Sequence, residues 1–223
     1  MCPLLPTRKP LLCYVTDRRS LAGASDLAIE LQLKKIERAA NAGVDWIQLR
    51  EKDLSGRELA ELAEQAILQS GSCSAVLVND RVDVACATRA SGVHLGENSL
   101  PADEARRLIS QRDARRNFMV GVSAHSLEGA MQAEQAGADY VLFGPVYETP
   151  SKASFGRPQG VPRLGEVCKR LTIPVLAIGG ITLGNAGDCI AAGAAGIAAI
   201  RLFQDVANLD DLVSELRKYP RPC

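Results

Sequence analysis

The chain of 223 residues balances 26 Lys and Arg against 26 Asp and Glu, and only 4% of it is aromatic. It therefore lacks the basic surplus and stacking platforms on which nucleic-acid modules depend, and a hydrophobic share of 47% with 23% charged residues excludes disorder. No apolar run approaches the ~20 residues of a membrane helix. The opening Met1-Cys2-Pro3-Leu4-Leu5-Pro6 is too short and too broken by proline for a signal peptide. The expectation is a cytoplasmic protein with neither membrane nor nucleic acid as partner. The cysteines, odd in number and without a CxxC pair, read as reduced packing thiols.

In chain order, short runs rich in Val, Ile and Leu fall at 11–16, 46–51, 75–80, 92–96, 118–123, 140–146, 173–180 and 196–203. Stretches of helical period follow them, at about 26–42, 56–70, 82–90, 102–112, 126–136, 163–171, 183–193 and 208–218. The strand-like runs do not alternate with polar residues, the mark of parallel strands covered on both faces. Eight such units in one chain predict a single-domain (β/α)8 TIM barrel over 11–218, with tails at 1–10 and 219–223; an open doubly wound sheet is the competitor. The phrases at 42–45, 90–93, 136–139 and 192–196 each place a glycine before a strand, where it can end the preceding helix in the left-handed conformation.

In a barrel the working residues stand where strands end, on the C-terminal face. Gln48, Arg50 and Lys52 share one side of the second strand end, and two converging cations ask for a phosphate or diphosphate; pairing with Glu51 or Asp53 is the structural alternative. Asp80 closes the third strand as a hard oxygen ligand suited to Mg2+, or else serves as a helix cap or an ion-pair partner of Arg81. Gly179-Gly180 follows strand seven, where barrels often seat a phosphate, although tight turns also explain such pairs. Arg201 interrupts the eighth apolar run, either adding charge to that phosphate or pointing outward. The segment 148–160 is long for a βα loop and reads as a cover that brings Lys152 to the anion. His94 reads as a hydrogen-bonded core residue, and His125 as a candidate base.

Seven phrases, Gln-Leu-Arg-Glu-Lys (48–52), Asn-Asp-Arg-Val-Asp (79–83), Gly-Val-His-Leu-Gly (92–96), Gly-Val-Ser-Ala-His (121–125), Ala-Asp-Tyr-Val-Leu-Phe-Gly-Pro-Val (138–146), Thr-Pro-Ser-Lys (149–152) and Ala-Ile-Gly-Gly-Ile-Thr (177–182), resemble in this order the thiamine-phosphate synthase family. The resemblance spans about residues 12–206. It implies a transferase that joins hydroxymethylpyrimidine diphosphate to thiazole phosphate with Mg2+ as cofactor and small phosphorylated molecules as partners. It places Gln48, Leu49, Arg50, Glu51, Lys52, Asn79, Ser123 and Lys152 around the pyrimidine diphosphate, with Arg50, Lys52 and Lys152 stabilising its departure. It places Thr149, Pro150, Ser151, Gly179, Gly180, Ile200 and Arg201 around the thiazole phosphate, and Asp80 on the metal. Two positions depart from the family pattern: Ser99, a weak metal ligand, stands where a second metal carboxylate is usual, so that either Glu97 reaches in or the site is weakened, and Arg201 replaces a small serine, either strengthening phosphate attraction or obstructing the thiazole. These departures keep open a thiazole tautomerase with His125 as base, and a non-catalytic phosphate-binding barrel. A homo-oligomer is also open.

Overall fold

The computed structural model describes residues 9–22, 26–112, 117–149 and 158–220. Among these, β1 (Leu11–Val15), β2 (Trp46–Leu49), β3 (Ala75–Asn79), β4 (Gly92–Leu95), β5 (Met119–Ala124), β6 (Tyr140–Phe143), β7 (Val175–Ile178) and β8 (Gly196–Ala199) pair in parallel and in sequence order, and β8 returns to β1 to close a barrel. The helices covering it are α1 (Arg19–Ala22), α2 (Asp26–Asn41), α3 (Gly56–Ser70), α4 (Val82–Ala87), α5 (Ala102–Arg112), α6 (Leu127–Gln135), α7 (Gly160–Arg170), α8 (Leu183–Ala191), α9 (Arg201–Gln204) and α10 (Leu209–Leu216). No helix of the described residues is long and apolar enough to cross a membrane.

The alternation of side chains along each strand builds two cores. Cys13, Val15, Trp46, Leu77, Met119, Tyr140, Leu142 and Leu176 fill the barrel, while Tyr14, Ile47, Leu49, Val78, Val93, Val141 and Phe143 pack outward against the helices. Room inside is made where a large ring meets a missing side chain: a Cβ on Gly121 would stand 2.0 Å from the Tyr140 ring. That glycine lets Tyr140 lie across the interior beneath the mouth.

The repeated phrase before the strands has a structural role at the opposite, N-terminal end. Gly43, Gly137 and Gly193 have φ of +91°, +87° and +109°, as a helix-ending glycine requires. The aspartates that follow two of them stitch neighbouring strands: Asp45 accepts the Leu12 amide at 2.7 Å and Arg217 at 2.8 Å, and Asp139 accepts the Val120 amide at 2.6 Å and pairs with Arg106. The second phrase, at 90–93, differs. Gly92 lies inside β4, where a Cβ would meet the Met119 carbonyl at 2.3 Å, and the left-handed residue is Arg89 at φ +60°.

The expected eighth strand is shorter than its apolar run. It ends at Ala199, and residues 201–204 form α9. Phe203 and Gln204 are buried because this single turn folds back on β1: the rings of Tyr14 and Phe203 lie 6.1 Å apart, the Tyr14 hydroxyl donates to Gln204 Oε1 at 2.8 Å, and Gln204 Nε2 donates to the Asp17 carbonyl at 2.9 Å. An apolar run cannot by itself distinguish a buried strand from one buried helical turn.

Candidate active site

The C-terminal mouth gathers polar side chains at the ends of β2, β3 and β4 into one directional network. Asp80 is set by a three-residue turn in which the Arg81 amide donates to the Asn79 carbonyl at 2.8 Å, giving Asp80 a φ of +61°. This conformation is uncommon outside glycine and is tolerated best by Asp and Asn; strained backbone of this kind concentrates at functional sites. The Asp80 carboxylate accepts the Gly96 amide at 3.0 Å and the Ser99 hydroxyl at 2.5 Å on Oδ1, and Asn79 Nδ2 at 2.7 Å on Oδ2. Burial opposes its charge, yet Ser99, Gly96, the nearby Lys52 and Asn79 together hold its carboxyl below the usual range.

That fixed charge orients the next two amides. Asn79 must give its NH2 to Asp80, so its oxygen accepts Gln48 Nε2 at 2.8 Å, and Gln48 Oε1 is left as an acceptor. Gln48 is 2% exposed, and its Oε1 has no hydrogen-bond partner among the described residues. A buried acceptor without a donor costs on the order of 1–3 kcal/mol, which a donor on a bound molecule would recover.

Beyond Gln48, Thr16 and Arg18 organise the residues that follow β2. The Thr16 hydroxyl accepts the Arg50 amide at 3.0 Å and donates to Glu51 Oε1 at 2.5 Å. The buried Arg18 guanidinium binds Glu51 at 3.0 Å and clasps both oxygens of Asp53 at 2.7 and 2.9 Å. The two carboxylates considered as partners for Arg50 and Lys52 therefore belong to Arg18. Among the described residues, neither Arg50 nor Lys52 has a carboxylate within ion-pair distance. Two of the expected diphosphate ligands need correction as side chains: Leu49 is fully buried against the helices, and Glu51 is engaged by Arg18 and Thr16. Thr16 closes the first strand-like run, where the positional rule directs attention, but its type assigns it no role; Arg18, three residues past β1, lies beyond the strand end that the rule inspects.

On β4 and β5, His94 is 1% exposed, with Nδ1 3.1 Å from the Tyr140 hydroxyl and Nε2 2.9 Å from Ser123 Oγ. It is the hydrogen-bonded core residue expected, and it links Ser123 to the interior. His125 Nδ1 meets the Gly144 carbonyl, and Nε2 lies 4.0 Å from Glu97, so the Glu97 carboxylate is turned toward His125. Ser99, not Glu97, meets Asp80.

At the ends of β6 to β8, Gly179 and Gly180 have φ of +97° and +65°, and a Cβ on Gly180 would lie 2.5 Å from the Glu148 carbonyl. The pair thus lets the segment after β6 dock on the end of β7, where the Val146 amide donates to the Ile178 carbonyl at 2.9 Å and that of Tyr147 to Gly179 at 3.0 Å. Arg201 opens α9 at the surface, with Nη2 3.5 Å from Thr149 Oγ1, and Ile200 precedes it half-buried. These residues border a second part of the same mouth. Pro150, Ser151 and Lys152, and most of the expected cover, lie outside the described residues.

A closed barrel with cations, an ionised carboxylate and a buried acceptor gathered at one mouth defines a barrel enzyme for small anionic substrates. Comparison with known proteins identifies which. The family model described as thiamine monophosphate synthase matches residues 12–203. A putative thiamine-phosphate synthase of Geobacter sulfurreducens is 45% identical over 85% of this chain and 84% of its own, and a thiamine-phosphate synthase of Chlorobium luteolum is 42% identical over 86% and 84%. The solved structure of thiamine phosphate pyrophosphorylase from Pyrococcus furiosus superposes with a TM-score of 0.79 at 32% identity, covering 94% of each chain. The chain belongs to the thiamine monophosphate synthase family, transferases of thiamine biosynthesis built on the TIM barrel. These relatives favour the synthase over the tautomerase and the non-catalytic barrel.

Proposed function

We propose that the mouth joins the diphosphomethyl-aminopyrimidine to the thiazole phosphate, releasing diphosphate and forming thiamine phosphate, and that the residues divide this work as follows. The observation that supports the division is the pair of cations, Arg50 and Lys52, which among the described residues form no ion pair, Arg18 holding Glu51 and Asp53. They receive the diphosphate, with Asn79, Ser123 and Lys152 completing its pocket. Gln48 Oε1 accepts a hydrogen bond from the exocyclic amine of the pyrimidine, supplying the donor that this buried oxygen lacks. Thr149, Pro150, Ser151, Gly179, Gly180, Ile200 and Arg201 surround the thiazole phosphate.

The residues present fit Mg2+ as an ion shared with substrate. An ionised carboxylate has about four acceptor positions; three on Asp80 are filled, which leaves one on Oδ2. Mg2+ commonly binds through one or two carboxylates together with substrate phosphates and waters, and Asp80 supplies the one, with the Ser99 hydroxyl beside it. Bound there, the ion would add positive charge against the departing diphosphate.

Bond breaking at the pyrimidine methylene is the demanding step, because positive charge grows on carbon while negative charge grows on the leaving group. Arg50, Lys52 and Lys152 supply positive charge to the negative end and stabilise it as it grows. The thiazole nitrogen then attacks the methylene, for which orientation by the second phosphate site suffices. No side-chain nucleophile is required. Incubating both substrates with and without Mg2+ tests the assignment: thiamine phosphate and diphosphate should form in equal amounts and only with the metal. Absence of product at every metal concentration would overturn it.

A further inference from the structure

Tyr140, His94 and Ser123 form a hydrogen-bonded chain from the barrel interior to its mouth. Tyr140 and His94 are each 1% exposed and their rings are stacked with centroids 5.6 Å apart. The Tyr140 hydroxyl stands 3.1 Å from His94 Nδ1, and His94 Nε2 stands 2.9 Å from Ser123 Oγ. Among the described residues, the Tyr140 hydroxyl has no hydrogen-bond partner other than Nδ1. A buried hydroxyl needs an acceptor for its proton, and a ring donating from Nδ1 would leave the phenol proton with none. Tyr140 is therefore the donor and Nδ1 the acceptor. Burial pushes the phenol well above its ordinary pKa, so it keeps the proton this arrangement requires.

The polarity then propagates. With Nδ1 accepting, the neutral imidazole carries its proton on Nε2 and donates to Ser123 Oγ. Ser123 has spent a lone pair and retains its own proton. Half-buried near the C-terminal end of β5, it can present that proton to the mouth. In the reverse tautomer Ser123 would donate inward and face an anion with lone pairs alone. We propose that His94 is a positioning residue, which with Tyr140 commits the Ser123 hydroxyl to donating a hydrogen bond to the diphosphate-bearing substrate. This rests on the placement of Ser123 at the diphosphate proposed above.

The chain contains two histidines, so nitrogen NMR of uniformly 15N-labelled protein, with His125→Gln for assignment, reads the tautomer of His94 directly. The expected result is a proton on Nε2 and none on Nδ1; the opposite tautomer, or a proton on both, overturns the relay. Kinetics supply the second reading. Tyr140→Phe and Ser123→Ala should each raise KM for the pyrimidine diphosphate roughly tenfold, the equivalent of one hydrogen bond to a charged group. KM for the thiazole phosphate should stay unchanged, and the double variant should be no worse than Ser123→Ala. Additive losses would show that Tyr140 acts otherwise and overturn the proposal. An unchanged KM in Ser123→Ala would remove Ser123 from the diphosphate site and end its outward role, whereas a full Ser123→Ala defect beside an inverted tautomer would overturn the relay alone.

Discussion

With its guanidinium 3.0 Å from Glu51 and 2.7 Å from Asp53, Arg18 absorbs the two carboxylates that flank Lys52 in sequence and so determines the charge that the mouth offers. Replacing Arg18 with Met should release Asp53 to neighbouring cations and strand the buried Glu51. KM for the pyrimidine diphosphate should rise about tenfold, and unfolding in urea should show a loss on the order of 3 kcal/mol, the usual cost of leaving a buried charge unpaired. The Asp53 partnership has its own pH signature. Its hydrogen bonds from Arg18 hold its carboxyl below the usual range, so the pair stabilises the fold above the unfolded value of about 3.9 and loses that effect as pH falls through the depressed folded value. Asp53→Asn should therefore be less stable than wild type by about 0.5–1 kcal/mol at neutral pH, discounted for the exposure of Asp53, with the gap closing in acid. A pH series of urea denaturation curves measures this. At Ser99 the expected change runs the other way: Ser99→Asp adds a second carboxylate beside Asp80, which should lower the Mg2+ concentration for half-maximal activity about fivefold and lower the melting temperature of the metal-free protein.

Gly179 and Gly180, which follow β7, let the segment after β6 dock there and so hold the second part of the mouth together. Gly180→Ala would place a methyl 2.5 Å from the Glu148 carbonyl at a φ of +65°. The segment carrying Thr149 should be displaced, raising KM for the thiazole phosphate more than that for the pyrimidine diphosphate, at a stability cost of roughly 1–3 kcal/mol. Steady-state kinetics with each substrate varied in turn would check this. The need for glycine at 179 and 180 was legible only as ambiguity, because a tight turn and a phosphate cradle use the same residue. The same limit explains α9. Ile200, Leu202 and Phe203 continue the apolar character of β8, and the reason that the chain turns there, the docking of Gln204 on Tyr14 and Asp17, depends on residues nearly 190 positions away.

For the whole molecule, periodicity was sufficient to foresee the barrel, since parallel strands buried on both faces leave a pattern that survives without any knowledge of partners. All eight strand-like runs became strands, seven of them trimmed by one to four residues at the C-terminal end, where backbone polar groups leave the sheet for loops, while β5 runs one residue further, to Ala124. The rule that working residues sit where strands end pointed to Gln48, Arg50, Lys52 and Asp80, which follow or close β2 and β3 at the C-terminal mouth. It did not show that Glu51 turns from the mouth, since side-chain alternation stops with the strand at Leu49 and Arg18 takes over. Nor did it distinguish Ser99 from Glu97 as the neighbour of Asp80, because that depends on the turn after β4.

Turnover at this mouth depends on Arg50 and Lys52 gripping a diphosphate. Calorimetric titration of inorganic diphosphate, with Mg2+ present, into the wild type, Arg50→Gln and Lys52→Gln at one ionic strength measures this most directly. Each variant should bind at least about tenfold more weakly, the equivalent of one lost charge-assisted contact. Wild-type affinity in both variants would show that neither side chain holds the diphosphate.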